Sequence, residues 1–129
     1  KRLPSLGKKV ELRNDIHPGI TIFANGSLLA WSIENIIRNG IDAIEKNDGI
    51  VSISLRKFDN DIKIRIQDNG RGIPKKDWKN IFRPGFSTKK AGWGLGLSLS
   101  SRIIEDIHGG QLKVSESSNE VGTILEISL

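Results

Sequence analysis

Apolar residues recur along this chain with two different periods. From Ser27 onward Leu29, Ile33, Ile36, Ile37, Gly40 and Ile44 follow one another at three- and four-residue steps, the spacing of one helix face. Asn25 or Ser27 is available as N-cap, and the helix should run to about Lys46, where Asn47-Asp48-Gly49 signals a turn. The period then becomes two. Val51, Ile53 and Leu55 alternate with polar residues, as do Ile62, Ile64 and Ile66, which predicts an antiparallel hairpin around Asp59-Asn60-Asp61 with one buried face.

Weaker patterns flank this centre. "KVELRN" and "ITIFA", separated by His17-Pro18-Gly19, are two short extended candidates. A short helix is expected near Lys75–Ile81 and a longer one from Leu97 to about His108, stopped by Gly109-Gly110. "QLKVSES" and "GTILEISL" close the chain as a second hairpin. Helices on one face of a mainly antiparallel sheet make an α+β two-layer sandwich.

Length changes this picture little: 129 residues fit one domain, and a domain of this size buries roughly two-thirds of its unfolded surface. There is no cysteine, no run of eighteen apolar residues and no cationic-then-apolar leader, so a cytoplasmic setting is the default, with an inner-membrane anchor for a parent chain left open. Residues 1–8 read as a linker from an upstream region and 9–129 as the domain.

The formal charge of +5 raises the question of nucleic acid. Its distribution argues against that partner. Between Arg71 and Lys90 seven basic residues face Asp77 alone, so the surplus is confined to one segment. Aromatic stacking platforms are sparse outside it. The same segment leads into "KKAGWGLGLSLS", a glycine-rich loop entering a helix, which can cradle phosphate because glycines let backbone N–H groups approach a ligand. Neither the dinucleotide fingerprint nor the Walker pattern fits, since Leu97 stands where the former needs a third glycine and Gly-Lys-Ser/Thr occurs nowhere.

Five polar positions carry candidate chemistry. Asn35, Asn39 and Asp42 lie at i, i+4 and i+7 of the first helix and form one stripe; amide oxygens suit a hard cation such as Mg²⁺ that keeps phosphate and water as its other ligands. Asp68 has the parity of Ile62, Ile64 and Ile66 and so points to the buried face, where an ionised carboxylate is costly without a partner. An acceptor-only carboxylate suits the amino group of adenine and repels the carbonyl of guanine; the plain alternative is an aspartate capping its own turn. Thr123 shares parity with Leu125 and Ile127 and faces the same way, either toward that ligand or toward a backbone group. His17 is read as a solvated turn residue, and His108 as a structural one whose partly charged ring suits the negative end of a helix.

The order of these features resembles one family. "ENIIRNGIDAI", "DNGRGIP", "IFRPGFSTK" and "GWGLGLS" are similar, in that order, to the N box, first glycine box, F box and second glycine box of the catalytic and ATP-binding domain of sensor histidine kinases, within the gyrase, chaperone, histidine kinase and mismatch-repair ATPase superfamily (the Bergerat fold). The resemblance spans roughly residues 27–129. It implies that Asp68 binds the adenine amino group, that Gly70, Gly72 and Ile73 shape the purine pocket with Thr123, and that Asn39 holds Mg²⁺ with Asn35 and Asp42 beside the phosphates. Lys89, Gly92, Gly94, Leu95, Gly96 and Leu97 would form the lid over the β- and γ-phosphates. Hydrolytic members carry a glutamate where this chain has Asn35, which cannot act as a general base, and Glu34 lies about 100° around the helix.

The implied function is transfer of the γ-phosphoryl of Mg·ATP to a histidine on a dimerisation domain elsewhere in the parent. The implied partners are that phosphoacceptor domain and a response regulator, with the isolated domain a monomer and the parent a homodimer. Trp93 between the second-box glycines and Gly85 in the F box depart from the family's usual residues. Trp93 motivates the alternative of a nucleotide-binding scaffold without kinase activity; a hydrolytic relative is a further alternative, which Asn35 disfavours. The 76–86 segment also reads as an interaction surface.

Overall fold

The computed structural model describes residues 10–22, 24–45, 48–86 and 96–129. Five strands form one mixed sheet: β1 (Val10–Ile16), β2 (Gly49–Phe58), β3 (Asp61–Asp68), β4 (Gln111–Ser118) and β5 (Gly122–Ser128). Their order is β1-β2-β3-β5-β4, and only the β1–β2 pairing is parallel. Helix α1 (Gly26–Ala43) and helix α2 (Gly96–Arg102), the latter continued by a π-helical turn over Ile103–Ile107, lie on one face. The two-layer α+β sandwich expected from the sequence is the observed one.

The core sits where the two periods meet. Ile36, Ile41 and Ile44 of the α1 segment pack with Val51, Ile62, Ile64, Ile66, Leu112, Val114, Leu125 and Ile127 from the sheet and with Ile104 from the π turn. Each fully buried isoleucine contributes roughly 1.5–3 kcal/mol relative to exposure, so this cluster is what fixes α1 against the sheet. Along β3 the alternation is strict, with Ile62, Ile64, Ile66 and Asp68 all buried. On β2 it is weaker, because Ile53 and Leu55 are only half-buried beside the edge strand β1.

Several local expectations are corrected. "ITIFA" forms no strand among its described residues; Ile20 and Ile22 alternate because they pack half-buried on the core while β1 already occupies the edge of β2. Asn25 is the N-cap of α1, its side-chain oxygen accepting from the Leu28 N–H at 3.0 Å. That helix ends at Ala43 rather than near Lys46, because the Ala43 carbonyl accepts from the Arg71 N–H at 3.1 Å. The expected helix at Lys75–Ile81 is instead two 3₁₀ turns, Lys75–Asp77 and Asn80–Phe82. Pro74 precedes the first, and the Trp78 indole N–H donates to the Ile73 carbonyl at 3.0 Å.

The second long helix is described from Gly96 onward and leaves α geometry after Arg102. Gly109, at φ 67°, ends it as expected. His108 is structural, but not through charge. Its Nε2 accepts from the Asn25 backbone N–H at 2.9 Å, so Nδ1 carries the hydrogen and donates to the Ile103 carbonyl at 2.9 Å. A neutral imidazole thus ties the start of α1 to the end of the π turn. Among the described residues no helix is long and apolar enough to cross a membrane.

Candidate functional site

The parity of β3 delivers Asp68 to the helical face, and glycines make room for it there. A Cβ at Gly40 of α1 would sit 3.3 Å from the Asp68 Cβ, so the helix approaches the aspartate more closely than any other residue would comfortably allow. On the other side Gly122 opens β5 at φ 81°, and a Cβ there would run into the Asp68 carbonyl oxygen. Asp68 is 7% exposed.

Its charge state follows from this enclosure. Burial raises the carboxyl pKa above the ordinary carboxylate range; N–H donation from Gly70 and Thr123 and the charge of Arg71 oppose that without cancelling it. The Gly70 N–H donates to Oδ1 at 2.8 Å. A carboxylate has about four lone-pair directions, so these backbone donors leave acceptor capacity for a ligand. Asp68 does cap its own turn, as the plain reading holds, and still has room for a second partner.

The loop after Asp68 is stapled on three sides. Asn69 accepts from the Ile50 N–H at 2.8 Å and donates to the Asp48 carbonyl at 3.0 Å, anchoring the loop to the start of β2. Gly70 lies against α1, where a Cβ would come within 2.6 Å of the Ala43 carbonyl oxygen. Gly72, at φ 81°, lies against β4, where a Cβ would come within 2.5 Å of the Ser118 carbonyl oxygen. The Ile73 N–H donates to Ser117 Oγ at 2.7 Å, and that hydroxyl lies 2.7 Å from Thr123 Oγ1. Thr123 is buried and pairs in register with Asp68.

The amide stripe of α1 divides by burial. Asn35 is 9% exposed and donates through Nδ2 to Ser100 Oγ of α2 at 3.2 Å. Gly96 rests on the same amide, where a Cβ would be 2.5 Å from Nδ2, so Asn35 joins α1 to the first turn of α2. Asn39 is half-buried, and its Nδ2 donates to the Asn35 carbonyl at 2.8 Å. The Asn39 amide nitrogen is thus engaged by its own helix. Asp42 is half-buried one turn further on, and Glu34 is exposed.

Asp68, Gly70, Gly72, Ile73 and Thr123 thus meet at one end of the sheet, with Asn35, Asn39 and Asp42 on the helix beside them. Leu97 is half-buried in the first turn of α2. Lys89, Gly92, Trp93, Gly94 and Leu95 lie outside the described residues. Among those described, no cluster of three or more His, Cys or acidic side chains could hold a metal by itself.

Residues that sequence reasoning passed over also build the site. Gly40 and Gly122 admit Asp68, Ser100 holds Asn35, and Ser117 links Ile73 to Thr123. A glycine inside a helix costs roughly 1 kcal/mol against alanine, which was the one available signal for Gly40. The serines gave none, because their partners lie 65 and 44 residues away.

Comparisons with known proteins converge on one assignment. Residues 25–129 match the family model described as histidine kinase-, DNA gyrase B- and HSP90-like ATPase. Sporulation kinase C of Bacillus subtilis (strain 168) is 41% identical over 95 residues, covering 74% of this chain and 22% of that protein. The catalytic domain of the histidine kinase ThkA superposes with a TM-score of 0.82 at 26% identity, covering 93% of this chain and 78% of that one. ThkA in complex with the response regulator TrrA superposes at 0.78 with 24% identity, covering 93% of this chain and 34% of that one. This chain spans between 16% and 28% of the length of the first curated relatives it matches.

Proposed function

The chain belongs to the histidine kinase-, DNA gyrase B- and HSP90-like ATPases, as an ATP-binding domain of the histidine kinase type, and on that premise we propose that it transfers the γ-phosphoryl group of Mg·ATP to a histidine on a separate helical domain. The observation that carries the reading is Asp68: a buried acceptor, walled by two glycines, at the end of a strand whose other inward residues are all apolar. In this reading the carboxylate accepts from the adenine amino group, while the Gly70–Ile73 backbone forms one flat wall and Thr123 borders the same edge. An acceptor fixed there disfavours guanine, whose carbonyl would face it.

The residues on α1 fit a magnesium ion of the kind that keeps most of its shell as phosphate and water. Asn39 would offer it an amide oxygen, its nitrogen being engaged by the Asn35 carbonyl. When bound, such an ion neutralises the triphosphate. Asn35 and Asp42 would lie beside it, and the sequence assigns the role of a lid over the β- and γ-phosphates to Lys89, Gly92, Gly94, Leu95, Gly96 and Leu97, of which only Gly96 and Leu97 are among the described residues. Asn35, Asn39 and Lys89 would then position the transferring group, which is the main requirement of phosphoryl transfer.

Two features favour transfer over hydrolysis. Asn35 cannot take a proton from water, and its amide is engaged with Ser100; Glu34 is exposed. The acceptor is therefore a side chain brought in from outside. The response regulator in the ThkA complex suggests the same class of downstream partner for the parent of this chain. The decisive experiment mixes this domain with γ-labelled Mg·ATP and a separately produced helical hairpin bearing the acceptor histidine. Acid-labile, base-stable label on the hairpin is expected. Steady phosphate release by the domain alone, with no label transferred, would instead assign it to the hydrolytic branch.

The raised pKa of Asp68 gives this reading a pH signature. Recognition of the amino group needs the ionised carboxylate, so ADP affinity should fall as pH is lowered through that pKa, at a higher pH than a solvated aspartate would impose. Isothermal titration of ADP from neutral pH down to the acid limit of the folded state checks it. A flat profile there would mean that the carboxylate does not contact the base.

A further inference from the structure

Among the described residues Ser117 is the hydroxyl that touches both the glycine loop and the strand beside Asp68. It lies in β4, half-buried, with Oγ 2.7 Å from the Ile73 nitrogen and 2.7 Å from Thr123 Oγ1. A backbone N–H can only donate, so Ser117 Oγ accepts from Ile73. Either hydroxyl of the Ser117–Thr123 pair could donate to the other, because Ser117 Oγ keeps a second lone pair as well as its own hydrogen. With Ser117 as the donor, the threonine oxygen is the acceptor and the Thr123 hydrogen points away from the serine. Thr123 is 4% exposed and stands directly across the ladder from Asp68, at the edge that the nucleotide reading gives to the base.

We propose that Ser117 is a positioning residue that sets the nucleobase specificity of the site by fixing Thr123 as a hydrogen-bond donor. The relay runs Ile73 N–H to Ser117 Oγ, Ser117 O–H to Thr123 Oγ1, Thr123 O–H to the ligand. It rests on the nucleotide reading above and extends it to a residue that touches no ligand. The consequence is a pair of neighbouring groups of opposite polarity, Asp68 accepting and Thr123 donating. Adenine presents the complement, an amino donor beside the N1 acceptor, whereas a 6-oxopurine presents an acceptor beside an N1–H donor and mismatches both. Without Ser117 the threonine hydroxyl rotates freely and accepts from N1–H as readily as it donates to N1.

The test compares three diphosphates by calorimetry: ADP, inosine diphosphate, and purine riboside diphosphate, which lacks the amino group but keeps the N1 acceptor. The unaltered protein should bind purine riboside diphosphate more tightly than inosine diphosphate; equal or weaker binding means that no donor faces N1 and overturns the proposal without any variant. Ser117→Ala should lower the ADP-to-inosine diphosphate affinity ratio by up to about tenfold, the reach of one neutral hydrogen bond. Ser117→Thr, which keeps the hydroxyl, should restore the ratio. Thr123→Val should lower it as far as Ser117→Ala, with no further loss in the double variant. If Ser117→Ala weakens all three ligands by the same factor, the serine only holds the loop in place and the proposal fails. The nucleotide reading itself fails differently, by absence of ADP binding to the unaltered protein.

Discussion

Gly122→Ala is expected to destabilise this domain more than any other single methyl addition to its described turns. Two effects add. Gly122 has φ 81°, a left-handed conformation that costs a residue with a Cβ roughly 1–2 kcal/mol, and the new methyl would run into the Asp68 carbonyl with the Asn69 Cα close behind it. Backbone cannot swing aside as a side chain can, so β5 has to shift from β3, and overpacking of this kind costs typically a further 1–3 kcal/mol. A loss of about 3–5 kcal/mol is a large share of the 5–15 kcal/mol that stabilises most domains. Gly85→Ala supplies the control: its φ is 84°, but nothing lies within 4 Å of the added atom, so it should lose only the conformational part. Urea unfolding of both variants separates the terms. Equal losses would show that the contact with Asp68 contributes nothing and that φ alone matters.

That comparison bears on what could be read before the fold was known. Periodic positions were legible because their signal is local: the 3.6 spacing of Leu29 to Ile44 gave α1, and the alternation of Ile62, Ile64 and Ile66 gave both β3 and the inward direction of Asp68. The motif order then placed Asn35, Asn39, Asp68, Gly70 and Gly72 at one end of one molecule before any contact was known. What failed was local signal with a non-local cause. Ile20 and Ile22 alternate like a strand, yet the ladder position they would occupy belongs to β1, whose parallel pairing with β2 no turn signal announces. Helix α1 stops at Ala43 because a loop 28 residues later takes its carbonyl.

The hydroxyl contacts were invisible for a related reason. A serine in an alternating strand or on a helix face has the same appearance whether it faces solvent or holds a distant amide. Ser100 is fully buried against Asn35, and Ser117 reaches Ile73, in both cases through the packing of elements that the sequence leaves far apart. The charge on His108 was misjudged likewise. Proximity to a helix end favours imidazolium, but the Asn25 N–H arriving from the other helix needs an acceptor, and a neutral ring satisfies both neighbours.

Asp68→Asn should separate stability from recognition. The amide keeps an oxygen for the Gly70 N–H, so the turn survives, but it replaces the other carboxylate oxygen by a donor that faces the amino group of adenine. Loss of a hydrogen bond to a charged group corresponds to roughly 1.5–3 kcal/mol, or about ten- to 150-fold in ADP affinity. Stability should move the other way or stay level. Burial raises the carboxyl pKa in the folded state, so the folded protein holds that proton more tightly than the unfolded chain, and the stability this contributes is full below the unfolded pKa and lost as pH rises through the folded one. At neutral pH the parent therefore carries a buried charge that the variant lacks, and the advantage of the variant should shrink as pH falls through the raised pKa. Thermal unfolding at neutral and acidic pH, alongside calorimetric titration of ADP, reads both quantities on the same samples. ADP affinity within twofold of the parent would move recognition of the base away from Asp68. A variant less stable than the parent at neutral pH would mean that the N–H groups of Gly70 and Thr123 stabilise the carboxylate more than its burial costs.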